Sequence, residues 1–372
     1  MTESSESVSH AMPAPLGVGI VGGGFMATVH SRAARAARAH LVGVSSSRPE
    51  RAVAAAAELG IDGAFASLEE LIADPGIDVV HVTTPNALHA EQALAVIEAG
   101  KHVVCEKPLA TTVADAVRLA DAAASAGVTA TVPFVYRFHP LVREARARFA
   151  SGETGRLLTI AGSYLQDWLL DSADDNWRVD SAAGGRSRAF ADIGSHLVDL
   201  IEFVTGDRVS RVAATRRTFF DSRAEHAAIT TEDAVAVAVQ TAGGAIGTLL
   251  VSQAAAGRKN RLHVELSGSA ESVVFDQEQP ETLWVGRRRG SLLVPRDADQ
   301  LQPDAARLVT TPAGHPQGYQ DAFNAFVADT YAAIAGADPE GLPRFADGLR
   351  AARVTDAVIE SAESGAWVDV AA

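Results

Sequence analysis

The chain of 372 residues is 47% hydrophobic and 21% charged, with a formal net charge of -14 at pH 7. Its length predicts two domains, and its composition is that of a globular protein rather than a disordered one. The acidic excess argues against a nucleic acid or an anionic membrane as partner, since both carry negative charge.

Cysteine content and hydropathy indicate the compartment. Cys105 is the only cysteine, which excludes an intrachain disulfide and a multi-cysteine metal site. No apolar run reaches the roughly 18 residues that a membrane-spanning helix needs. Residues 1–13 are rich in Ser and Glu and lack the basic start and apolar core of a signal peptide, so we expect a flexible tail. These features predict a cytoplasmic protein.

The chain after this tail begins with a strand followed by glycines. Leu16–Val21 is a short apolar, β-branched run typical of a strand buried on both faces. Gly22, Gly24 and Ala27 follow with the spacing G-x-G-x-x-A, and a helix is predicted over Phe25–Arg38. This arrangement points unpaired helix N–H groups at a pyrophosphate and predicts dinucleotide binding. The alternative is a structural strand–turn–helix that binds no ligand.

Strand-like and helix-like stretches then alternate up to residue 132. Strict alternation with short loops predicts a doubly wound parallel sheet, with ligand-binding loops at the carboxyl ends of its strands. We therefore predict a Rossmann domain over residues 14–135. Its further strands are predicted at His40–Ser45, Asp78–Val82, His102–Val104 and Val128–Val132, and its further helices at Arg51–Leu59, Leu68–Ala73, Ala87–Ala99 and Thr112–Ala126.

The pattern changes after Pro133. Runs of consecutive strands predict an α+β domain over residues 136–372 with a large, open, mostly antiparallel sheet. An open sheet face is usually covered by a partner, so we expect a homodimer or homotetramer. The predicted strands are Leu157–Tyr164, Val209–Thr218, Asp233–Gln240, Ala245–Ser252, Arg261–Ser267, Ser272–Phe275 and Thr282–Val285, and the predicted helices are Pro140–Phe149, Asp192–Val204, Gly318–Ala335 and Phe345–Ser361.

Four motifs together resemble the Gfo/Idh/MocA family of NAD(P)-dependent oxidoreductases. They are Gly22–Ala27, Thr84–His89, Cys105–Leu109 with its Glu-Lys-Pro sequence, and Asp192–Asp199 with its Asp-x-x-x-His spacing. Gly162–Trp168 further resembles the branch that contains levoglucosan dehydrogenase and related sugar and glycoside dehydrogenases. The resemblance implies hydride transfer between a nicotinamide cofactor and a secondary hydroxyl or ketone of a sugar, cyclitol or glycoside.

The resemblance implies a catalytic role for Lys107, Asp192 and His196. Oxidation of a secondary alcohol needs a base for the hydroxyl proton and a cation near the developing alkoxide. An imidazole with its ordinary pKa near 6.5 suits the first task and an ammonium the second. Taken without the family pattern, the same residues also fit a surface lysine, a helix N-cap and a buried, satisfied histidine. A metal site is not expected, because Cys105 is alone and no His-x-x-x-His occurs.

A further set of residues is expected to hold the cofactor. Glu106 precedes the lysine and could orient it, and the loop after the predicted strand Asp78–Val82 should face the ribose and nicotinamide. No acid stands where NAD-specific folds bind the ribose 2′-hydroxyl, so the stretch after the second strand favours NADP, although NAD can bind without that carboxylate. The cofactor-binding candidates are Gly22, Gly24, Phe25, Met26, Ser46, Ser47, Arg48, Thr83, Thr84, Pro85, Asn86, His89, Glu106 and Lys107.

Aromatic and polar side chains of the second half suggest how a polyol is bound. Aromatic faces beside amides and charged groups suit the C–H faces and hydroxyls of a sugar. The substrate-binding candidates are Tyr136, Arg137, Gln166, Trp168, Trp177, Arg178, Asp192, His196, His315 and Tyr319. The tryptophans could instead pack between domains. Arg186 and Arg188 depart from the family's uncharged approach to the Asp-x-x-x-His helix, which leaves recognition of an acidic group open.

Two other functions fit the same motifs. One is a redox-neutral glycosidase that oxidises, eliminates and re-reduces its substrate with a trapped cofactor, as one branch of the family does. The other is a cofactor-sensing regulatory protein, which the joint presence of Lys107, Asp192 and His196 disfavours. Net accumulation of NAD(P)H during turnover separates a dehydrogenase from the glycosidase.

Overall fold

The structure, a computed structural model, describes residues 15–371, so the tail predicted at residues 1–13 lies outside the described residues. Within this range the first half forms a parallel sheet of six strands in the order β3-β2-β1-β4-β5-β6. The strands are β1 Gly17–Val21, β2 His40–Ser45, β3 Gly63–Phe65, β4 Val79–Val82, β5 His102–Cys105 and β6 Ala130–Thr131. The helices between them are α1 Phe25–Ala36, α2 Pro49–Leu59, α3 Leu68–Ala73, α4 His89–Glu98 and α5 Val113–Ala126.

This doubly wound sheet confirms the predicted fold class. The strand β3 has no counterpart among the sequence predictions, because it is only three residues long and none of them is fully buried. The predicted helix at Thr112 begins one residue later, since the Thr112 hydroxyl caps α5 by accepting a hydrogen bond from the Asp115 N–H. The apolar strands β1, β4 and β5 occupy the middle of the sheet, which leaves their carboxyl ends at one shared edge.

The second half contains a larger sheet, in the order β14-β13-β12-β11-β7-β10-β9-β8-β15 among the described residues. A short 3-10 turn, Val135–Phe138, leads into it. The strands are β7 Leu157–Leu165, β8 Val209–Arg217, β9 Ala234–Thr241, β10 Ile246–Ser252, β11 Arg261–Gly268, β12 Ser272–Asp276, β13 Thr282–Arg287, β14 Gly290–Pro295 and β15 Val368–Asp369. The helices are α6 Pro140–Ala150, α7 Ser181–Gly184, α8 Ser195–Thr205, α9 Pro303–Ala306, α10 Tyr319–Ile334 and α11 Phe345–Ser364.

The larger sheet is mostly antiparallel, as predicted, and has one buried face. Val235, Val237 and Val239 of β9 alternate inward, where they join the core formed with α8. The residues between them point to the open face, as expected for an amphipathic strand. One pair breaks the antiparallel rule, since β10 runs parallel to β7 from Ile246 to Ser252.

The parallel pairing of β7 with β10 brings distant residues to one edge of the sheet. Both strands end at the same edge, so Gln166 after β7 and Gln253 after β10 are neighbours there, and the Gln166 N–H donates to the Ser252 carbonyl at 2.8 Å. Because β11 is antiparallel to β7, its first residues lie at that edge too, which places Asn260 beside Gln166. This edge faces the Rossmann domain and carries the polar side chains described below.

The last two long helices return to the Rossmann domain. Phe323 and Phe326 of α10 share a hydrophobic cluster with Ala27 and Ala33 of α1. The helix α11 begins with Phe345, which packs into the cluster formed by β4, β5 and α5. The Rossmann core is therefore completed by residues that follow the second sheet in sequence.

Candidate active site

The turn between β1 and α1 is open for a phosphate group. Gly22 has a φ of +106°, and a Cβ there would lie 2.7 Å from the Thr83 hydroxyl, so a larger residue would be strained and would clash. A Cβ on Gly24 would meet nothing within 4 Å. The first turn of α1, beginning at Phe25, carries no acidic side chain, which leaves its N–H groups available to an anion. These features fit the pyrophosphate of a dinucleotide.

The other candidate cofactor residues surround this turn. Phe25 is 75% exposed beside Gly24, and Met26 is half-buried. After β2, Ser47 and Arg48 are exposed and Ser46 is half-buried, so all three lie at the carboxyl end of that strand.

The loop after β4 is held rigidly. The Thr83 hydroxyl donates to the Val21 carbonyl at 2.9 Å, which ties this loop to β1. The Thr84 hydroxyl donates to Gln92 at 2.5 Å. The buried Asn86 amide donates to the Gly184 carbonyl at 3.0 Å, which joins the Rossmann domain to α7.

His89 is buried between two loops, an arrangement the sequence did not indicate. Its Nδ1 lies 2.8 Å from the Pro108 carbonyl oxygen and its Nε2 lies 2.8 Å from the Thr84 carbonyl oxygen. Burial lowers the pKa of the imidazole, so His89 is neutral and donates to one carbonyl at a time. The ring thus links the loop after β4 to the segment that follows Lys107.

Lys107 and Asp192 form a buried ion pair between the two domains. The Lys107 ammonium lies 2.6 Å from Asp192 Oδ1 and 3.0 Å from the Asp192 backbone carbonyl. Gln253 donates to the other carboxylate oxygen at 2.8 Å, and the Arg178 Nε lies 3.7 Å from Oδ1. Burial raises the pKa of the Asp192 carboxyl, but the charges of Lys107 and Arg178 outweigh it and lower the pKa to about 2. Asp192 is therefore ionised throughout the neutral range.

The segment that carries Asp192 is a π turn over Phe190–Gly194, which runs into α8 at Ser195. The helix predicted over Asp192–Val204 is therefore present, but its first residues form a π turn rather than an α turn. Glu232, fully buried, lies at the start of this segment, where its Oε1 accepts the Ser187 hydroxyl at 2.7 Å and the N–H groups of Arg188 and Phe190 at 3.1 and 3.0 Å. Single π turns inside helices are frequent at functional sites.

Arg186 and Arg188, whose roles the sequence left open, both bind acids of this chain. Arg188 is fully buried and its guanidinium pairs with Asp233, the residue after Glu232. Arg186 is exposed and pairs with Glu363 of α11 at 3.0 Å. Arg188 thus supports the π turn, and Arg186 ties the same segment to α11.

His196 is the second residue of α8 and lies among aromatic side chains. Its ring meets Phe134 and Tyr136 edge-on, with centroid distances of 5.6 and 5.1 Å. Burial and the neighbouring Lys107 ammonium lower the pKa of the imidazole to about 3, well under the ordinary value used in the sequence argument. His196 is therefore neutral. Nδ1 is buried with no hydrogen-bond partner among residues 15–371, which leaves Nε2 as the nitrogen open to the site.

A closed hydrogen-bond ring lies beside His196. Tyr164 donates to Asn260 Oδ1 at 2.8 Å, Asn260 Nδ2 donates to the Tyr136 oxygen at 3.2 Å, and Tyr136 therefore donates to Tyr164 at 2.5 Å. The Gln166 side-chain amide also donates to Asn260 Oδ1 at 2.8 Å, and the Trp168 indole N–H donates to the Gln166 side-chain Oε1 at 2.7 Å. The phenol protons are committed, so the free N–H groups of Gln166 and Asn260 remain for a ligand.

Three further substrate candidates border this ring. Tyr319, at the start of α10, lies 6.4 Å from Tyr136 between ring centroids. Burial raises the pKa of its phenol well above the ordinary value, with contributions from Glu106 and Asp192 that place it near the ion pair. The Arg178 guanidinium lies over the Trp177 ring at 4.5 Å, so this aromatic face is already covered by a cation of the same turn.

Arg137 and His315, which we expected to bind the substrate, contact other groups of the chain. The Arg137 guanidinium pairs with both oxygens of Asp199, lies 2.8 Å from Asp347 and lies 3.3 Å from the Gly341 carbonyl. These partners hold α8 against α11, because a buried guanidinium needs acceptors of its own. His315 is exposed in the loop before α10, where its carbonyl accepts from Arg296.

Two residues of the site were missed by sequence reasoning. Gln253 is fully buried and contacts the Asp192 carboxylate, and Asn260 is the centre of the hydrogen-bond ring. Both stand next to the ends of predicted strands. Their place in the site follows only from the parallel pairing of β10 with β7.

Neither a metal-binding cluster nor a membrane-spanning helix occurs within residues 15–371. No group of three His, Cys, Asp or Glu side chains within residues 15–371 is arranged to hold a metal ion. No helix in the same range combines the length and the hydropathy that crossing a membrane requires.

Comparison with known proteins identifies both halves of the chain. Residues 16–134 match the model of the oxidoreductase family with an NAD-binding Rossmann fold. Residues 142–274 match the GFO/IDH/MocA C-terminal domain. Levoglucosan dehydrogenase of Pseudarthrobacter phenanthrenivorans is 33% identical over 395 aligned residues, which cover 95% of this chain and 98% of the relative.

Solved structures agree with the sequence relatives. A levoglucosan dehydrogenase in complex with NADH and levoglucosan superimposes with a TM-score of 0.90 at 33% identity, covering 96% of this chain and 100% of that chain. An inositol dehydrogenase homolog from Azotobacter vinelandii in complex with NAD+ superimposes with a TM-score of 0.87 at 28% identity, covering 96% and 98% of the two chains.

Proposed function

The chain belongs to the Gfo/Idh/MocA family of oxidoreductases, and on that premise we propose what its site acts on and which residues act. It is a nicotinamide-dependent dehydrogenase that transfers a hydride between the cofactor and a secondary hydroxyl or ketone of a sugar, cyclitol or glycoside. The observation that carries the assignment of residues is the buried Lys107–Asp192 ion pair next to a neutral His196.

His196 accepts the hydroxyl proton and Lys107 stabilises the oxygen. A neutral imidazole accepts at Nε2 when its own proton is on Nδ1. Negative charge that develops on the substrate oxygen raises the proton affinity of His196, while the Lys107 ammonium offsets that charge in a site of low dielectric. Asp192 holds the ammonium in place at 2.6 Å. A base whose pKa is about 3 holds the proton only transiently, so the proton leaves for solvent within the same cycle.

The residues around the first glycine turn fit the cofactor. Gly22 and Gly24 allow close approach, and the free N–H groups of α1 suit the pyrophosphate. Thr84, Pro85 and Asn86 flank the position of the ribose and nicotinamide. When bound, the nicotinamide supplies the hydride acceptor for oxidation and the hydride donor for reduction.

The substrate class is a pyranose or anhydrosugar, bound by its ring face and hydroxyls. Trp168 offers an apolar face, and Gln166 and Asn260 keep N–H groups free after the hydrogen-bond ring is complete. These directional donors suit sugar hydroxyls. The similarity to levoglucosan dehydrogenase over nearly the whole chain supports this choice.

A cofactor-linked absorbance assay tests the proposal on anhydrosugars, free hexoses, inositols and glycosides with both nicotinamide cofactors. NAD(P)H should accumulate with at least one anhydrosugar or hexose. Lys107→Met and His196→Ala should lower turnover by at least about 100-fold while NADH still binds. Lys101→Met, whose ammonium contacts backbone carbonyls far from the site, is the matched control. Near wild-type turnover in either site variant contradicts the roles assigned here.

NADP(H) is the preferred nucleotide in this proposal. Ser46, Ser47 and Arg48 are accessible after β2, and Arg51 lies one turn into α2 with its guanidinium 3.5 Å from the Ser47 hydroxyl. Two cations and two hydroxyls suit a 2′-phosphate. The test is the ratio of kcat/KM for NADP+ to that for NAD+ in the wild type and in Arg48→Ala. A ratio below one in the wild type, or one unchanged by the variant, contradicts this preference.

The open face of the second sheet supports a homo-oligomer, a dimer or a tetramer. Ile246 and Leu250 of β10 are 59% and 47% exposed on that face, and apolar patches of this kind are usually covered by a partner. Light scattering on the wild type and on Leu250→Glu tests this. A monomeric wild type contradicts it.

The buried thiol of Cys105 fits the reducing cytoplasm, which cell fractionation checks.

A further inference from the structure

A buried chain of hydrogen bonds lies behind Lys107 and has no part in the chemistry above. The Tyr331 hydroxyl lies 2.9 Å from His81 Nε2, and His81 Nδ1 lies 2.8 Å from His30 Nδ1. His30 Nε2 lies 3.0 Å from Glu106 Oε1, and the Lys107 N–H donates to Glu106 Oε2 at 3.1 Å. We call these four side chains, Tyr331, His81, His30 and Glu106, the relay.

The relay crosses the apolar interior of the Rossmann domain. Both histidines are 0% exposed. His81 comes from the central strand β4, His30 from α1 and Tyr331 from α10, and the His30 ring also packs on Phe323 at 4.7 Å. Polar groups buried among apolar ones cost free energy unless each is hydrogen-bonded. Here the bonds run one after another and end at the backbone of Lys107.

The donors and acceptors along the relay can be assigned. Burial lowers the pKa of His81 well below its ordinary value, so His81 is neutral and carries one N–H. In one state the His81 proton is on Nδ1 and is donated to His30 Nδ1. Tyr331 then donates to His81 Nε2, and His30 donates from its own Nε2 to Glu106. In the other state the His81 proton is on Nε2, so His30 carries two N–H groups and is a cation. In both states His30 Nε2–H points at Glu106, and no hydrogen bond is lost.

Glu106 connects His30 to the backbone of Lys107. Its burial raises the pKa of the carboxyl, but the hydrogen bond from His30 and the charge of Lys107 outweigh burial and lower the pKa. The ionised carboxylate then accepts the Lys107 N–H through its second oxygen. The Lys107 side chain leaves from this point to reach Asp192.

We propose that His30 and His81 are positioning residues, which orient Glu106 and, through its contact with the Lys107 backbone, set the ammonium against Asp192. The proposal rests on the dehydrogenase function proposed above. The relay stops at Tyr331, which is buried, so it acts as a support rather than as a route for protons to solvent.

Matched substitutions separate the hydrogen bonds from the packing. In His30→Gln the side-chain amide replaces the Nε2–H donor to Glu106, whereas His30→Leu removes it. In His81→Asn the amide nitrogen replaces Nδ1–H, whereas His81→Leu removes it. The Leu variants should lose about 10- to 100-fold in kcat, with KM for sugar and the Kd for NADH changed less than about 3-fold. The amide variants should retain most of the wild-type kcat.

The pH dependence gives a second readout that loss of packing alone would not produce. The titratable groups that face Glu106 are His30 of α1, His89 of α4, Lys107 beside it and Tyr319 of α10, with Cys105 preceding it. The hydrogen bond from His30 lowers the pKa of Glu106, whereas burial raises it. Removing the His30 donor therefore raises the pKa of Glu106. In His30→Leu, kcat should therefore fall as pH decreases through the neutral range and recover as pH rises, a limb absent from His30→Gln.

A measurement independent of turnover completes the test. The chain has three lysines, Lys101, Lys107 and Lys259, so lysine-labelled protein gives three side-chain NMR signals that single Lys→Arg variants assign. The Lys107 signal should shift in His30→Leu and stay in place in His30→Gln. If His30→Leu does not fold, His30→Asn replaces it, since the shorter amide does not reach Glu106.

The outcomes are distinct. A wild type without activity on any sugar, but with a Lys107 signal that moves as described, contradicts the proposed function and leaves the relay standing. An unchanged Lys107 signal in His30→Leu, or equal losses of kcat in His30→Leu and His30→Gln, overturns the relay.

Discussion

The charge on Asp192 should decide how well Lys107 works, and Asp192→Asn tests this with little change in volume. In the wild type the carboxylate lies 2.6 Å from the Lys107 ammonium, with the two side chains 14% and 15% exposed. Its other oxygen accepts from Gln253 at 2.8 Å. The amide removes the charge and places an N–H group where one acceptor oxygen was.

The magnitude follows from the pKa of Asp192, which is lowered from 3.8 to about 2. The difference of 3.8 - 2 = 1.8 corresponds to about 2.5 kcal/mol at roughly 1.4 kcal/mol per pH unit. If that stabilisation holds the ammonium in the reactive geometry, its loss lowers kcat about 60-fold. Because the folded pKa is below the unfolded one, the same energy stabilises the fold above about pH 4 and is lost as pH falls towards 2.

Steady-state kcat, NADH titration by fluorescence and denaturant unfolding at several pH values provide the measurements. The variant should lose about 2.5 kcal/mol of unfolding free energy at pH 7, and this difference from the wild type should narrow below about pH 4. Asp276→Asn, which removes the partner of Arg261 at 3.2 Å on the second sheet, is the matched control. A kcat for Asp192→Asn within about 3-fold of wild type would refute the reasoning.

Three other expectations can be checked on the same preparations. Gly22→Ala should weaken NADH binding about 10-fold or more in a fluorescence titration, because its Cβ would lie 2.7 Å from the Thr83 hydroxyl at a φ of +106°. The pH profile of kcat/KM for oxidation should lack a limb near 6.5, since the pKa of His196 is about 3; a limb there that disappears in His196→Asn would contradict this. Glu232→Ala should destabilise the fold by about 3 kcal/mol in urea unfolding, because it leaves three buried donors without an acceptor; a loss under about 1 kcal/mol would argue that the π turn does not depend on this carboxylate.

The Rossmann half was readable from local signals. Apolar strands and the glycine turn act over a few residues, and the observed β1, α1 and β2 begin and end within two residues of the predicted bounds. The confirmed doubly wound topology followed from strict alternation of strands and helices. The site roles assigned to individual residues stay predictions until the variants are measured.

The second half depended on long-range pairing that no local pattern encodes. Alternation predicts that β7 and β10 are strands, but not that they lie side by side and parallel. Without that pairing Gln253 and Asn260 were only polar residues near strand ends. The pKa of His196 was likewise out of reach, since it depends on burial and on a lysine from the other domain.

The start of the helix that carries Asp192 shows the same limit. Its periodicity predicts an ordinary helix, whereas the structure has a π turn there. The N–H groups of Arg188 and Phe190 at its start donate to Glu232, which is far along the chain and on the approach to β9. Arg188 looked available for an acidic ligand because its partner Asp233 is equally distant in sequence.

Because α10 and α11 pack against the first sheet, they limit where the chain can be cut for domain exchange. Phe326 and Phe345 fill clefts over α1 and beside α5, so a fragment cut at residue 135 would expose those clefts to water. A chimera with altered nucleotide preference would need to carry both C-terminal helices along with the donor's N-terminal segment. The nucleotide-binding half of this enzyme is thus portable only as two pieces, the Rossmann segment and the segment that carries α10 and α11.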